Sequence, residues 1–224
     1  MAVPALFLSL QSASADVDPV VVELYTSQGC SSCPPADEML GALAARDDVI
    51  ALSLHVDYWD WIGWPDTFGD PAHSDRQRAY AAATRSNMVY TPQFVIGGAD
   101  HVAGARGMEV ADAVTAHADR SSDVLSLGPD GRLSLAAVGR PARIYAAHVA
   151  PAATVEIERG ENAGRAITYH NVVRAWDDLG AWDGAAAGMD APAPRDGLRR
   201  VVIAQAVTEK GLPGPILGAI ALDD

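Results

Sequence analysis

An α/β fold, with a mixed sheet flanked by helices and a C-terminal, mainly β domain, is what this sequence predicts, on three observations. Apolar β-branched runs alternate with helical stripes up to about residue 120. The elements follow the order strand, helix, strand, helix, strand, strand, helix, which implies a right-handed parallel unit and then a hairpin. Beyond Arg120 the helical period fades and alternating apolar runs take over.

Pro19 to Leu24 is a continuous apolar run that suits a strand covered on both faces. Thr26 to Ser32 is turn-like. Pro34 and Pro35 fit the first turn of a helix, where a missing N–H costs nothing. Asp37 and Glu38 set negative charge near that helix's positive end. Ala36, Met39, Leu40 and Leu43 form one apolar stripe, and the helix is expected to end near Arg46. Val49 to Val56 reads as the second strand, followed by a loop from Asp57 to Pro71 rich in aromatic and acidic residues. His73 to Asn87 is helical, Gln93 to Ile96 is a strand, Gly97-Gly98 turns, and His101 to Ala103 returns antiparallel. Arg106 to Arg120 closes this part as a helix with Val110, Val114 and His117 inward. Asp130-Gly131 then joins Val124 to Leu127 with Arg132 to Leu135 as a hairpin. Further strands are expected over Arg143 to Val149, Thr154 to Ile157, Arg165 to Arg174, Arg199 to Val207 and Ile216 to Leu222, with Gly184 to Gly197 as a loop.

A chain of 224 residues, 49% hydrophobic and 20% charged, can bury a sizeable core. Its net charge of -13 repels phosphate backbones and anionic lipid, which argues against nucleic acid and membrane surfaces as partners. Val3 to Leu10 is apolar, and Ala13-Ser14-Ala15 gives the small-x-small pattern of a signal-peptidase site, although no Lys or Arg precedes the run. Residues 1–15 therefore read as a signal peptide, too short to span a bilayer. The expected location is periplasmic or secreted, with no membrane insertion after cleavage, and the expected domains are 16–120 and 121–224.

The chain has two cysteines, Cys30 and Cys33, with two residues between them. A bridge that stabilises a fold usually closes a long loop. This one would close almost none, so its purpose reads as chemical. The pair sits where the first strand gives way to a helix, whose N-terminus offers unpaired N–H groups and partial positive charge. A thiolate is favoured there. Cys30, expected to be the more exposed, would attack a disulfide, and Cys33 would resolve the mixed disulfide. The C-x-x-C motif within a strand–helix–strand context is much more specific than the motif alone.

These residues resemble the thioredoxin superfamily. That family carries a cis-proline loop just before its third strand, and Thr91-Pro92 stands at the corresponding place. The resemblance implies that Pro92 lies against the sulfurs and shapes the substrate groove, with Thr91 beside it. Longer strings narrow it: Val22 to Asp37 around the cysteines, Val56-Asp57-Tyr58-Trp59-Asp60 with Gly63-Trp64, Gln77-Arg78-Ala79-Tyr80, Tyr90-Thr91-Pro92-Gln93, and Arg159-Gly160-Glu161-Asn162. Together they resemble the secreted bacterial family called domain of unknown function 1223, over nearly the whole mature chain. This implies a thioredoxin-like fold with a C-terminal extension and supplies no substrate. Gly29, not Trp, precedes Cys30, and Ser-Ser separates the cysteines, so the direction of the redox reaction stays open.

The loop after the second strand carries Trp59, Trp61 and Trp64 at the edge where ligands bind in open α/β sheets. They read either as a binding wall for a substrate or as a clamp between domains. A soft metal such as copper would suit the cysteine pair with His55, but no second ligand pair completes a set, so neither metal nor cofactor is expected. Arg76 and Arg78 read as partners of nearby acids. A catalytic pairing of Glu161 with His170 is conceivable on residue type alone; turn residues are the plainer reading. The expected function is a thiol–disulfide oxidoreductase acting on a protein or small-molecule thiol or disulfide. The alternatives are a binding module with a structural bridge and a copper-handling protein.

Overall fold

The structure is a computed structural model that describes residues 19–118 and 123–222. The expected signal peptide and the 120/121 boundary lie outside the described residues. The first strand, β1 (Val20–Thr26), is buried at every position, as its unbroken apolar run requires. Helix α1 (Pro34–Leu43) follows, with prolines in its first turn and Cys33 at the N-cap. It ends at Leu43, a turn short of the expected Arg46. Strand β2 (Val49–His55) lies parallel to β1, with Val20 opposite Val49 and Thr26 opposite His55.

Helix α2 (Pro71–Ala83) starts two residues before the expected His73, because Asp70 caps it by accepting the Ala72 N–H at 2.8 Å. It stops before Asn87 because Arg85 turns left-handed, with φ 59°. The hairpin of β3 (Gln93–Ile96) and β4 (Asp100–Ala103) lies antiparallel beside β1, and α3 (Gly107–Ala118) closes this half.

The C-terminal half contributes β5 (Leu125–Leu127), β6 (Arg132–Leu135), β7 (Ala142–Ile157), β8 (Arg165–Trp182), β9 (Ala187–Asp190), β10 (Arg199–Val207) and β11 (Pro213–Leu222). It differs from expectation in four places, one being that β11 starts at Pro213 rather than Ile216. The runs Arg143 to Val149 and Thr154 to Ile157 are one strand, β7, which passes through Pro151. By register Pro151 stands opposite Asn171, whose φ is 49°, so the missing N–H falls at an irregularity of the ladder. β8 continues past Arg174 to Trp182, with a register shift at His148/Val149 absorbing the mismatch. Within the expected loop Gly184 to Gly197, Ala187–Asp190 pairs with β6 as a short edge strand.

The two halves share one sheet. Its order is β11-β10-β7-β8-β2-β1-β3-β4, joined between β8 and β2 by a parallel bridge at Ser53 and Val172, while β5-β6-β9 form a second sheet. One face of the large sheet packs Val22, Leu24 and Phe94 against Leu40 of α1 and Val110 of α3. The other packs Val21, Tyr25 and Leu54 against Tyr80 of α2 and reaches Ala147 and Ile203 in the C-terminal strands. No described helix is long and apolar enough to cross a membrane.

Candidate functional site

β1 delivers its last residues to the N-terminus of α1, and the chain turns there through Ser27–Cys33. The Cys30 N–H donates to the Ser27 carbonyl at 3.1 Å and the Cys33 N–H to the Cys30 carbonyl at 3.2 Å. Cys30 and Cys33 form a disulfide. Both are buried, at 2% and 0%, so Cys30 exceeds Cys33 in exposure only slightly, and the exposed residues of the motif are Ser31 and Ser32.

The reason lies far along the chain. The turn between β7 and β8 lies over the cysteine loop. The Asn162 Nδ2 group donates to the carbonyls of Gln28 and Cys30, both at 2.9 Å, and the Glu161 carboxylate accepts the Ser31 N–H at 3.3 Å. Gly160, at φ 82°, lets this turn approach Trp64: a Cβ there would stand 3.3 Å from the Trp64 Cβ. Glu161 and His170 do not meet. His170 packs on α1 so closely that a Cβ on Gly41 would come within 2.7 Å of its ring.

The aromatic loop contains one 3-10 turn, Asp60–Ile62, and is tied down at both ends. The Trp64 Nε1–H donates to the Gln28 side-chain oxygen at 2.8 Å, and the Trp59 Nε1–H to the Thr91 hydroxyl at 2.7 Å. Trp61 is 81% exposed. The Thr91–Pro92 peptide is cis, and Pro92 is buried. Ser32, Thr91, Pro92, Gly104 and Arg106 line one open groove of about 550 Å³, which brings the proline loop beside the cysteine loop.

Beneath the disulfide is a buried polar cluster. Asp37 is one helical turn after Cys33, and the Thr26 hydroxyl donates to its Oδ1 at 2.7 Å. Burial pushes the Asp37 carboxyl up to about 7, against the opposing pull of His55 and the Thr26 hydroxyl. Next to Thr26 in the sheet, His55 Nδ1 meets Asp66 Oδ2 at 2.8 Å with both side chains fully buried. Burial raises the Asp66 carboxyl too, but His55 and the N–H groups of Gln28 and Phe68 outweigh it and hold the group below the usual carboxylate range. Tyr169 packs edge-on to His55, at 4.7 Å between ring centroids, and burial raises its phenol well above the ordinary value. Asp37 Oδ2, His55 Nε2 and the Tyr169 hydroxyl are buried without a hydrogen-bond partner in the protein. Among the described residues, no group of three or more His, Cys, Asp or Glu is arranged to hold a metal ion.

Arg76 and Arg78 have different fates. Arg78 pairs with the exposed Asp75 at 2.7 Å, whereas Arg76 reaches the buried Glu23 of β1 at 2.6 Å. Residue types pointed to Cys30, Cys33, Thr91, Pro92 and the tryptophans. They gave Asp37 only a helix-end role, and gave Glu161 and Asn162 no link to the cysteines.

The sequence profile of a family described as "Protein of unknown function (DUF1223)" matches residues 21–205. A crystal structure of a protein from Agrobacterium tumefaciens is 33% identical, with a TM-score of 0.79, covering 91% of this chain and 93% of that one. HBP35 of Porphyromonas gingivalis matches at 15% identity and a TM-score of 0.57, covering 93% of this chain and 76% of that one, a likeness of fold. No curated protein matches the chain.

Proposed function

The chain belongs to the DUF1223 family, and from that premise we propose that it is an exported thiol–disulfide oxidoreductase whose N-terminal half is thioredoxin-like. The observation that carries this reading is a disulfide of sequence separation 3 at the mouth of α1. A loop that short gains little stability from being closed, whereas the helix N-terminus favours the thiolate that exchange requires. The strand order β2-β1-β3-β4, with β1 and β2 parallel and the β3–β4 hairpin antiparallel, supports the thioredoxin-like assignment. The apolar start of the sequence and the disulfide both fit an oxidising compartment outside the cytoplasm.

In the reducing direction, the Cys30 thiolate attacks one sulfur of a substrate disulfide. A new S–S bond forms, and the other substrate sulfur leaves as a thiolate. The Asp37 carboxylate, one turn from Cys33, takes the Cys33 thiol proton. The Cys33 thiolate then attacks Cys30 Sγ, the mixed disulfide breaks, and the second substrate sulfur leaves with the electron pair. Run backwards, the same steps oxidise a dithiol. A carboxyl held near 7 can both accept and return that proton near neutral pH. Substrate would lie in the groove between Ser32, Pro92 and Arg106.

The burial of both sulfurs favours a second reading, a binding module with a permanent bridge. Trapping separates the two. Reduced Cys33→Ala, mixed with glutathione disulfide, should retain a mixed disulfide at Cys30 that the unmodified protein resolves. A reduced variant that forms no such adduct contradicts the exchange reading and supports the structural one.

A further inference from the structure

The turn Arg159–Asn162 lies 130 residues beyond the cysteine loop and ends on it. Its two polar side chains do different things. Asn162 holds the loop by two carbonyls and takes a hydrogen bond from the Arg165 guanidinium at 3.2 Å. Glu161 is exposed and places a carboxylate oxygen on the Ser31 N–H. That N–H belongs to the donor-rich segment leading into α1, which would otherwise face a thiolate on Cys30. An anion already seated there competes for the donor and repels the thiolate.

The other ionisable groups around the loop lie elsewhere. Asp66 takes the Gln28 N–H from below and is paired with His55. Asp37 lies behind Cys33 on α1, and Arg106 lines the groove beyond Ser32. Glu161 is the carboxylate that touches the outer side of the motif.

We propose that Glu161 is a positioning residue that sets the reactivity of Cys30: its carboxylate disfavours the Cys30 thiolate and biases the pair toward the disulfide. This deepens the oxidoreductase reading and rests on it. It gives the C-terminal half a role in tuning the pair as well as covering it.

The test is the pH profile of alkylation of Cys30 in the reduced protein, using iodoacetamide, an uncharged reagent that the Glu161 charge does not steer, with adducts mapped by mass. Removing the charge in Glu161→Gln should move the profile to lower pH. At a pH below the midpoint it should raise the Cys30 alkylation rate about fivefold, the scale of one exposed charge interaction. The equilibrium with glutathione should shift toward the dithiol by up to the same factor, roughly 20 mV. Added salt should shrink the difference between the two proteins. Glu158→Gln removes an equal charge from an exposed neighbour of the turn and should leave the profile in place. Identical profiles for Glu161→Gln and the unmodified protein overturn the inference, as does an equal shift from Glu158→Gln. A bridge that exchanges slowly, in a protein whose alkylation profile still responds to Glu161→Gln, contradicts the oxidoreductase reading instead.

Discussion

The two faces of the central sheet each bury an ionic cluster, and the two are finished differently. On the α2 face, Glu23 of β1 receives the Arg76 Nε–H at 2.6 Å and the Tyr80 hydroxyl at 2.5 Å. Arg76 also donates to Tyr80 and to Gln205 of β10, while Gln205 donates to Tyr80 and to the Gly214 carbonyl. The guanidinium lies 4.1 Å from the Trp176 ring centroid, a cation–π contact. Glu23, Arg76, Tyr80 and Gln205 close on one another and tie β1 and α2 to the C-terminal strands; the Tyr25 hydroxyl and His73 Nε2 on this face lack a partner but lie outside that closed set. On the α1 face, three polar atoms around Asp37 and His55 are left unpartnered. A closed network holds the fold. An open one keeps a carboxyl near the pH at which it can exchange a proton. The open cluster is the one beneath the cysteines.

The largest effect is expected at Arg76. Arg76→Met leaves the Glu23 carboxylate buried without its ion partner and should cost up to about 5 kcal/mol, read by urea denaturation. The double change Glu23→Leu with Arg76→Met removes both charges and should cost far less. If the single and double variants lose the same stability, the network is not a charge pair but simple packing.

At the open cluster the effect should depend on pH. Burial holds the folded Asp37 carboxyl at about 7 against 3.8 for a free aspartate side chain, so the folded state holds more protons on it between those values. The contribution of Asp37 to stability therefore falls as pH rises from 3.8 to 7 and levels off above. Asp37→Asn cannot titrate. Its stability relative to the unmodified protein should climb across that window by roughly 4 kcal/mol. A difference that stays flat with pH would show that the Asp37 carboxyl is ordinary.

Smaller still is the contribution of the covering turn. Asn162→Ala strands the carbonyls of Gln28 and Cys30 and should cost about 1 to 2 kcal/mol. It should also speed reduction of the bridge by dithiothreitol, because the loop is freed. An unchanged reduction rate would separate the turn from the chemistry.

Much of the first half is legible in sequence because its signals are local. Val20 to Val22 read as a covered strand, Pro34-Pro35 as a helix start, and Cys30 and Cys33 as a close pair between the two, which the structure joins as a disulfide. The second half hides its organisation for physical reasons. Pro151 interrupts an alternating run that the chain nonetheless completes, because the proline meets an irregular partner position at Asn171. Ala187–Asp190 forms a strand through backbone pairing to β6, with little side-chain alternation to announce it. The site hides in the same way. Asp37 reads as a helix-end charge until Thr26 and the sheet enclose it, and Glu161 and Asn162 become relevant only when the β7–β8 turn folds back 130 residues or more.

The most direct test of the account is the equilibrium redox midpoint of the Cys30–Cys33 pair, with free thiols trapped by alkylation and counted by mass. Exchange-active chemistry predicts a midpoint between roughly -120 and -270 mV with rapid equilibration. A midpoint below about -300 mV with slow exchange would contradict it, and would make the bridge a structural one.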